Sequence, residues 1–165
     1  MRSDLMIEMT VSGLGIDDRT HTPVVFLKEK EGTRTLPIWI GPPEASSIAM
    51  ELTGRKFQRP LTHDLLKTVI EGLGGVVPKV AIVDLQDKTY FARIFLEREG
   101  ELITIDARPS DSIAIALRMQ AAIFVKEDLL RASDDDDELS AEGSMEELQR
   151  QLEDMDPEEF GKLWT

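Results

Sequence analysis

Ile103–Leu117 reads ITIDARPSDSIAIAL, and Ile38–Leu52, 65 residues earlier, reads IWIGPPEASSIAMEL. Laid over each other, the two share Ile38/Ile103, Ile40/Ile105, Ser47/Ser112, Ile48/Ile113, Ala49/Ala114 and Leu52/Leu117. Each runs an alternating apolar segment into a proline-bearing turn, then into a stretch whose apolar residues recur at helical spacing. The polar residues differ. Asp106, Arg108 and Asp111 stand in the later copy where the earlier one has Gly41, Pro43 and Ser46. The single charge in the earlier turn is Glu44. A frame kept while its polar residues change predicts a duplicated strand-to-helix joint with a site at one or both copies.

The chain around these stretches follows the same plan. Leu5, Ile7, Met9 and Val11 alternate with Met6, Glu8, Thr10 and Ser12, which predicts a half-buried strand over Asp4–Gly13. Thr22–Glu29 and Thr33–Ile40 read as further strands about a tight turn at Glu31-Gly32, and Pro43–Thr53 as a helix. A base-bearing loop over Gly54–Pro60 leads to a helix capped by Thr62 and reaching Leu73, with Leu65, Leu66, Val69 and Ile70 inward. Strands are expected at Val76–Gln86, Thr89–Glu97 and Glu101–Asp106, with turns at Gln86-Asp87-Lys88 and Arg98-Glu99-Gly100. A helix over Pro109–Gln120, a short strand Ala122–Val125 and a short helix Lys126–Arg131 complete the body. The fold class is therefore α+β: duplicated βββα units, a largely antiparallel sheet packed on helices, and a C-terminal helical appendage.

The net charge of −13 is concentrated at one end. Residues 132–165 hold 13 of the 32 acids and 2 of the 19 bases, so they carry −11 and residues 1–131 only −2. The expected division is a globular domain over 1–131, an acidic linker over 132–143 and a helical tail over 144–165. In that tail Met145, Leu148 and Leu152 form one stripe, and Phe160, Leu163 and Trp164 another. Such a tail suits a protein partner, or the chain's own body. No cysteine is present, which removes disulfides, thiolate zinc sites and thiol nucleophiles. No apolar run reaches membrane-spanning length, and the start has no signal-peptide core, so a cytoplasmic location and no membrane partner are expected.

Asp106 and Asp111 flank the second joint, and two converging carboxylates suit a hard cation such as Mg²⁺ or Mn²⁺, or general-base chemistry. Ser110, Asp111 and Pro109 could equally serve only as helix-start residues, with Arg108 pairing Asp106. Glu44 joins as a third carboxylate if the two joints face each other. A second polar knot, Arg59-Pro60-Leu61-Thr62-His63-Asp64, offers an imidazole as base or ligand beside an acid. The phosphate-loop, dinucleotide, zinc-protease and hydrolase-elbow motifs are all missing.

Three segments, EASSIAMEL (Glu44–Leu52), RPLTHDLL (Arg59–Leu66) and IDARPSDSIAIALR (Ile105–Arg118), resemble in this order the bifunctional nuclease domain family. The resemblance covers roughly residues 4–131. It implies an α+β domain with a duplicated frame, often dimeric, and a nuclease acting on RNA and DNA; some relatives carry an extra C-terminal helical module. Carried over by motif, Glu44, His63, Asp64, Asp106 and Asp111 become the expected catalytic residues. Arg59, Arg108 and Ser110 become the expected contacts to single-stranded nucleic acid. With the family activity, the three carboxylates at the joints, Glu44, Asp106 and Asp111, are expected to hold Mg²⁺ or Mn²⁺. The alternative is a non-enzymatic dimeric binding or regulatory module whose polar motifs are caps and ion pairs.

Overall fold

The computed structural model describes residues 4–133, so the linker and tail expected over 132–165 lie almost wholly outside the described residues. The strands are β1 (Met6–Asp17), β2 (Thr22–Glu29), β3 (Thr35–Trp39), β4 (Val76–Gln86), β5 (Thr89–Arg98), β6 (Glu101–Ala107) and β7 (Ala122–Lys126). The helices are α1 (Pro42–Thr53), α2 (Thr62–Gly72), α3 (Pro109–Met119) and α4 (Glu127–Ser133). All the strands join one seven-stranded sheet in the order β3-β2-β1-β7-β4-β5-β6. Pairing is antiparallel throughout except between β4 and β7. The α+β class read from the sequence is the class observed. Strand–strand–strand–helix occurs twice, although the helices do not start at matching positions. α1 begins at Pro42, the counterpart of Ala107, and α3 begins at Pro109.

The boundaries that moved have local causes. β1 runs on to Asp17 because a bulge interrupts its pairing with β2 between Val11 and Gly13. The extra residue returns Leu14 to the core side, so Met9 and Leu14 are both buried although they lie five apart. β3 starts later than expected because the Glu29 carboxylate takes hydrogen bonds from Arg34 N at 2.9 Å and Arg34 Nη2 at 2.6 Å, organising a longer loop. The β4–β5 and β5–β6 hairpins turn where expected. Their loop residues Asp87, Lys88, Glu99 and Gly100 all have positive φ, the twist-matching hairpin geometry.

The core lies between the sheet and the helix layer. α1 packs against α3, and both helices carry small buried residues, Ala45 and Ala49 on one and Ala114 and Ala116 on the other. Ile48, Ile113 and Ile115 are fully buried, each stabilising the fold by about 1.5–3 kcal/mol. α2 departs from expectation. Only its Ile70 is buried, while Leu65 is 53 % and Val69 47 % exposed. Its N-cap is Leu61 rather than Thr62, with Asp64 Oδ2 accepting from Leu61 N at 2.9 Å. No helix among the described residues is long and apolar enough to cross a membrane.

Candidate functional site

β3 and β6 are the two outer strands of the sheet, yet their C-terminal ends meet. Arg108, the residue after Ala107 that ends β6, donates from Nη2 to Glu44 Oε1 at 2.8 Å, just beyond β3. The sheet therefore curls until its opposite edges deliver the two proline-bearing turns to one place. The two joints read from the sequence do face each other. Glu44 and Asp111 occupy the third positions of α1 and α3, where a carboxylate is favoured by the helix dipole.

From this meeting point a chain of contacts runs inward. Arg108 Nε donates to Asp111 Oδ2 at 2.9 Å. Asp111 Oδ1 lies 2.9 Å from His63 Nε2, and His63 Nδ1 lies 2.6 Å from the hydroxyl of Ser47. A neutral imidazole satisfies this chain if Ser47 donates to Nδ1 and Nε2–H donates to Asp111; an imidazolium donates at Nδ1 as well, and Ser47 Oγ then accepts. Burial raises the Asp111 carboxyl pKa, but hydrogen bonds from Arg108 and His63 outweigh it and hold the group below the ordinary carboxylate value. The same bonds from Asp111 and Glu44 raise Arg108 above the usual guanidinium value. Glu44 keeps its position because residue 41 is glycine: a Cβ there would collide with Glu44 Oε2.

A second network stands behind the first. Arg118 is buried and donates from Nε to Asp64 Oδ1 at 2.7 Å, from Nη1 to Ala114 O at 3.1 Å and from Nη2 to Ser47 O at 3.2 Å. It ties α1, α2 and α3 together directly beneath His63. Burial pushes the Asp64 carboxyl up, but Arg118 and the Leu61 amide hold it below its ordinary value.

Of the residues singled out from sequence, Glu44, His63, Arg108 and Asp111 come together in one chain, and Asp64 is one step behind it. Ser110 is buried at the start of α3 and lines a depression of about 370 Å³ beside Arg108. Arg59 is exposed in the loop before α2. Asp106 is elsewhere. Its neighbours Ile105 and Ala107 pair with the helix-side residues Ile94 and Ala92, so strand alternation turns Asp106 to the opposite sheet face. There it lines a separate depression with Asp84, Arg93 and Lys126. Among the described residues no group of three His, Asp or Glu side chains is placed to hold a metal ion. The three-carboxylate set of Glu44, Asp106 and Asp111 thus does not assemble in this arrangement, and Glu44 and Asp111 are both engaged by Arg108. Ser47 and Arg118 were not singled out. Ser47 reads as scaffold because it repeats as Ser112, and Arg118 as a base favoured in a last helical turn.

Such a centre, with an arginine pinned between two carboxylates where two helix N-termini converge, sits at the joints of an α+β domain. Residues 25–137 match the family model described as the bifunctional nuclease domain, and the chain belongs to that family. It is 40 % identical over 164 residues to an uncharacterized protein of Mycobacterium tuberculosis strain H37Rv, covering 94 % of this chain and 98 % of that one. It is 30 % identical over 114 residues to Bifunctional nuclease 1 of Arabidopsis thaliana, covering 67 % of this chain and 35 % of that one. Against Bifunctional nuclease 2 of Oryza sativa subsp. japonica the identity is 31 % over 121 residues, covering 71 % of this chain and 37 % of that one.

Proposed function

We propose that this protein hydrolyses phosphodiester bonds of RNA or DNA at the Glu44–Arg108–Asp111–His63 cluster. The observation that carries the reading is Arg108. Its side chain is 65 % exposed, while the carboxylates that fix it are 15 % (Glu44) and 29 % (Asp111) exposed. Nε and Nη2 are held by those carboxylates, which leaves further N–H groups directed outward for a phosphate. Glu44 is the group suited to take a proton from attacking water. Asp111, ionised across the neutral range, steadies Arg108, and His63 positions Asp111, because both of its ring nitrogens are occupied.

Metal dependence, expected from the carboxylates at the two joints, enters as an assay condition and no step is routed through an ion. Purified protein is expected to cut single-stranded RNA or DNA, measured with added Mg²⁺, with Mn²⁺ and with EDTA. Glu44→Gln and Arg108→Ala, checked for folding by circular dichroism, should each lower the rate by about 100-fold or more. Equal cleavage by wild type and both folded variants would sink the assignment.

One observation favours a second reading, a binding module that does not cut. Each carboxylate oxygen of Asp111 and each ring nitrogen of His63 has an internal partner, as in a purely structural network. In that case nucleic acid or another anion would bind without turnover, and Arg108→Ala would weaken binding alone.

A further inference from the structure

The depression beside Arg108 combines two aromatic residues with two cations. Trp39 and Tyr90 line it, one from the end of β3 and one from the start of β5, and Lys88 and Arg108 lie among its walls. Trp39 is 45 % exposed, an unusual amount for an indole. It is nevertheless fixed, since its Nε1–H donates to Asp17 Oδ2 at 2.9 Å, and Asp17 Oδ1 accepts from Arg19 N at 2.9 Å. A large aromatic face is thus held rigid and left facing solvent. Nothing in the core requires this.

Lys88 adds an independent sign. The β4–β5 turn puts Asp87 at φ 48 and Lys88 at φ 63 without glycine at either position. Non-glycine residues there are disfavoured by roughly 1 kcal/mol each. The turn retains a cation at the edge of the depression where glycine would be more stable, and among the described residues Lys88 enters no ion pair. The first turns of α1 and α3 open onto the same space through Gly41 and Ser110, and neither N-cap residue caps its helix with a side chain.

A volume of about 370 Å³ lies at the small end of ligand pockets. A flat, sequence-tolerant aromatic face next to two cations matches a nucleobase with its phosphates. A paired base inside a duplex cannot present its face to such a wall without leaving the stack. We propose that this depression takes one unpaired nucleotide of a single-stranded nucleic acid, its base against Trp39 and Tyr90 and its phosphates on Lys88 and Arg108. The proposal rests on the hydrolase reading to the extent that it places the scissile phosphate at Arg108 and selects single strands over duplexes.

The test uses the full chain carrying Trp164→Phe, in which Trp39 is the sole tryptophan. A phosphorothioate oligothymidylate of about eight nucleotides, within the usual site size, is titrated against its fluorescence. Quenching is expected with this single strand and not with a duplex of equal length. Trp39→Ala should weaken binding of the labelled oligonucleotide about tenfold, and Trp39→Phe should retain most of it. Lys88→Ala should lower the slope of log affinity against log salt by about one. Absence of quenching, equal quenching by the duplex, or undiminished binding by both folded Trp39 variants overturns the proposal. Cleavage is scored separately. A strand that is cut as well by Trp39→Ala as by wild type, with unchanged KM, removes the nucleotide subsite and leaves the hydrolase. A strand that quenches Trp39 and is never cut removes the hydrolase and leaves the subsite.

Discussion

Ser47 and Ser112 hold matching places in the two copies of the quoted pattern, and their surroundings give them opposite energetics. The Ser47 hydroxyl meets His63 Nδ1 at 2.6 Å, whereas Ser112 Oγ is buried with no hydrogen-bond partner among the described residues. A buried hydroxyl without a partner keeps its desolvation penalty. Ser112→Ala is therefore expected to be neutral or stabilising by up to about 1 kcal/mol, and Ser47→Ala to cost about 1 kcal/mol, both read by denaturant unfolding. Gly41 is a different case. Its φ of −76° suits any residue, so the need for glycine is purely steric. Gly41→Ala should displace Glu44 from Arg108, lowering nuclease activity about tenfold or more while the melting temperature shifts little. A mutant as active as wild type would separate Glu44 from the reaction.

At the scale of elements, α2 is the one the sequence misjudged. Its apolar residues have correct helical spacing, but Leu65, Val69 and Leu73 look outward, while Ile70 alone is buried, its side chain close to Gly75. Periodicity reports a face and does not say what covers it. Replacing Leu65, Val69 or Leu73 by Ser should change the unfolding free energy of the folded chain by no more than about 0.5 kcal/mol each, because these side chains are already near half exposed. Ile70→Ala should cost about 2–4 kcal/mol. A polar contact anchors α2 beside Ile70. Removing Asp64 leaves the Arg118 charge buried and uncompensated, so Asp64→Ala should cost on the order of 3 kcal/mol, at the low end for such pairs because Asp64 is partly exposed. Equal unfolding midpoints for Asp64→Ala and wild type would refute this anchoring role.

Over the whole molecule, the lowered carboxyl groups set a common response to acid. Asp111, Asp64, Glu29 and Asp17 all have folded-state pKa values below their ordinary ones. A group depressed on folding contributes stability that is complete above its unfolded value, near 3.9 for Asp and 4.3 for Glu, and is lost as pH falls through the folded value. Melting temperature should therefore be level with respect to these groups above about pH 5 and fall progressively below about pH 4. Asp111→Asn should flatten part of that fall. The molecule also brings together residues far apart in sequence. Glu44 and Arg108 are separated by 64 positions and by the full width of the sheet, and only its curl makes them neighbours.

The sequence by itself determined the order of strands and helices, the α+β class, the proline-started helices at both joints and the polar residues at their first turns. These are short-range properties, written in alternation, helical spacing and turn residues, and each is decided within a few residues. The family resemblance was legible for the same reason, since its motifs are contiguous. The tertiary structure alone decided that Ser47 supports His63, that Arg118 braces three helices, that Asp106 faces away from Asp111, and that Trp39 stands exposed beside Lys88. Strand pairing and sheet curl set these, and they depend on which distant segments share hydrogen bonds and a core. A one-residue step along β6 sends Asp106 to the other sheet face, and no local pattern in the chain reports which side the helices occupy.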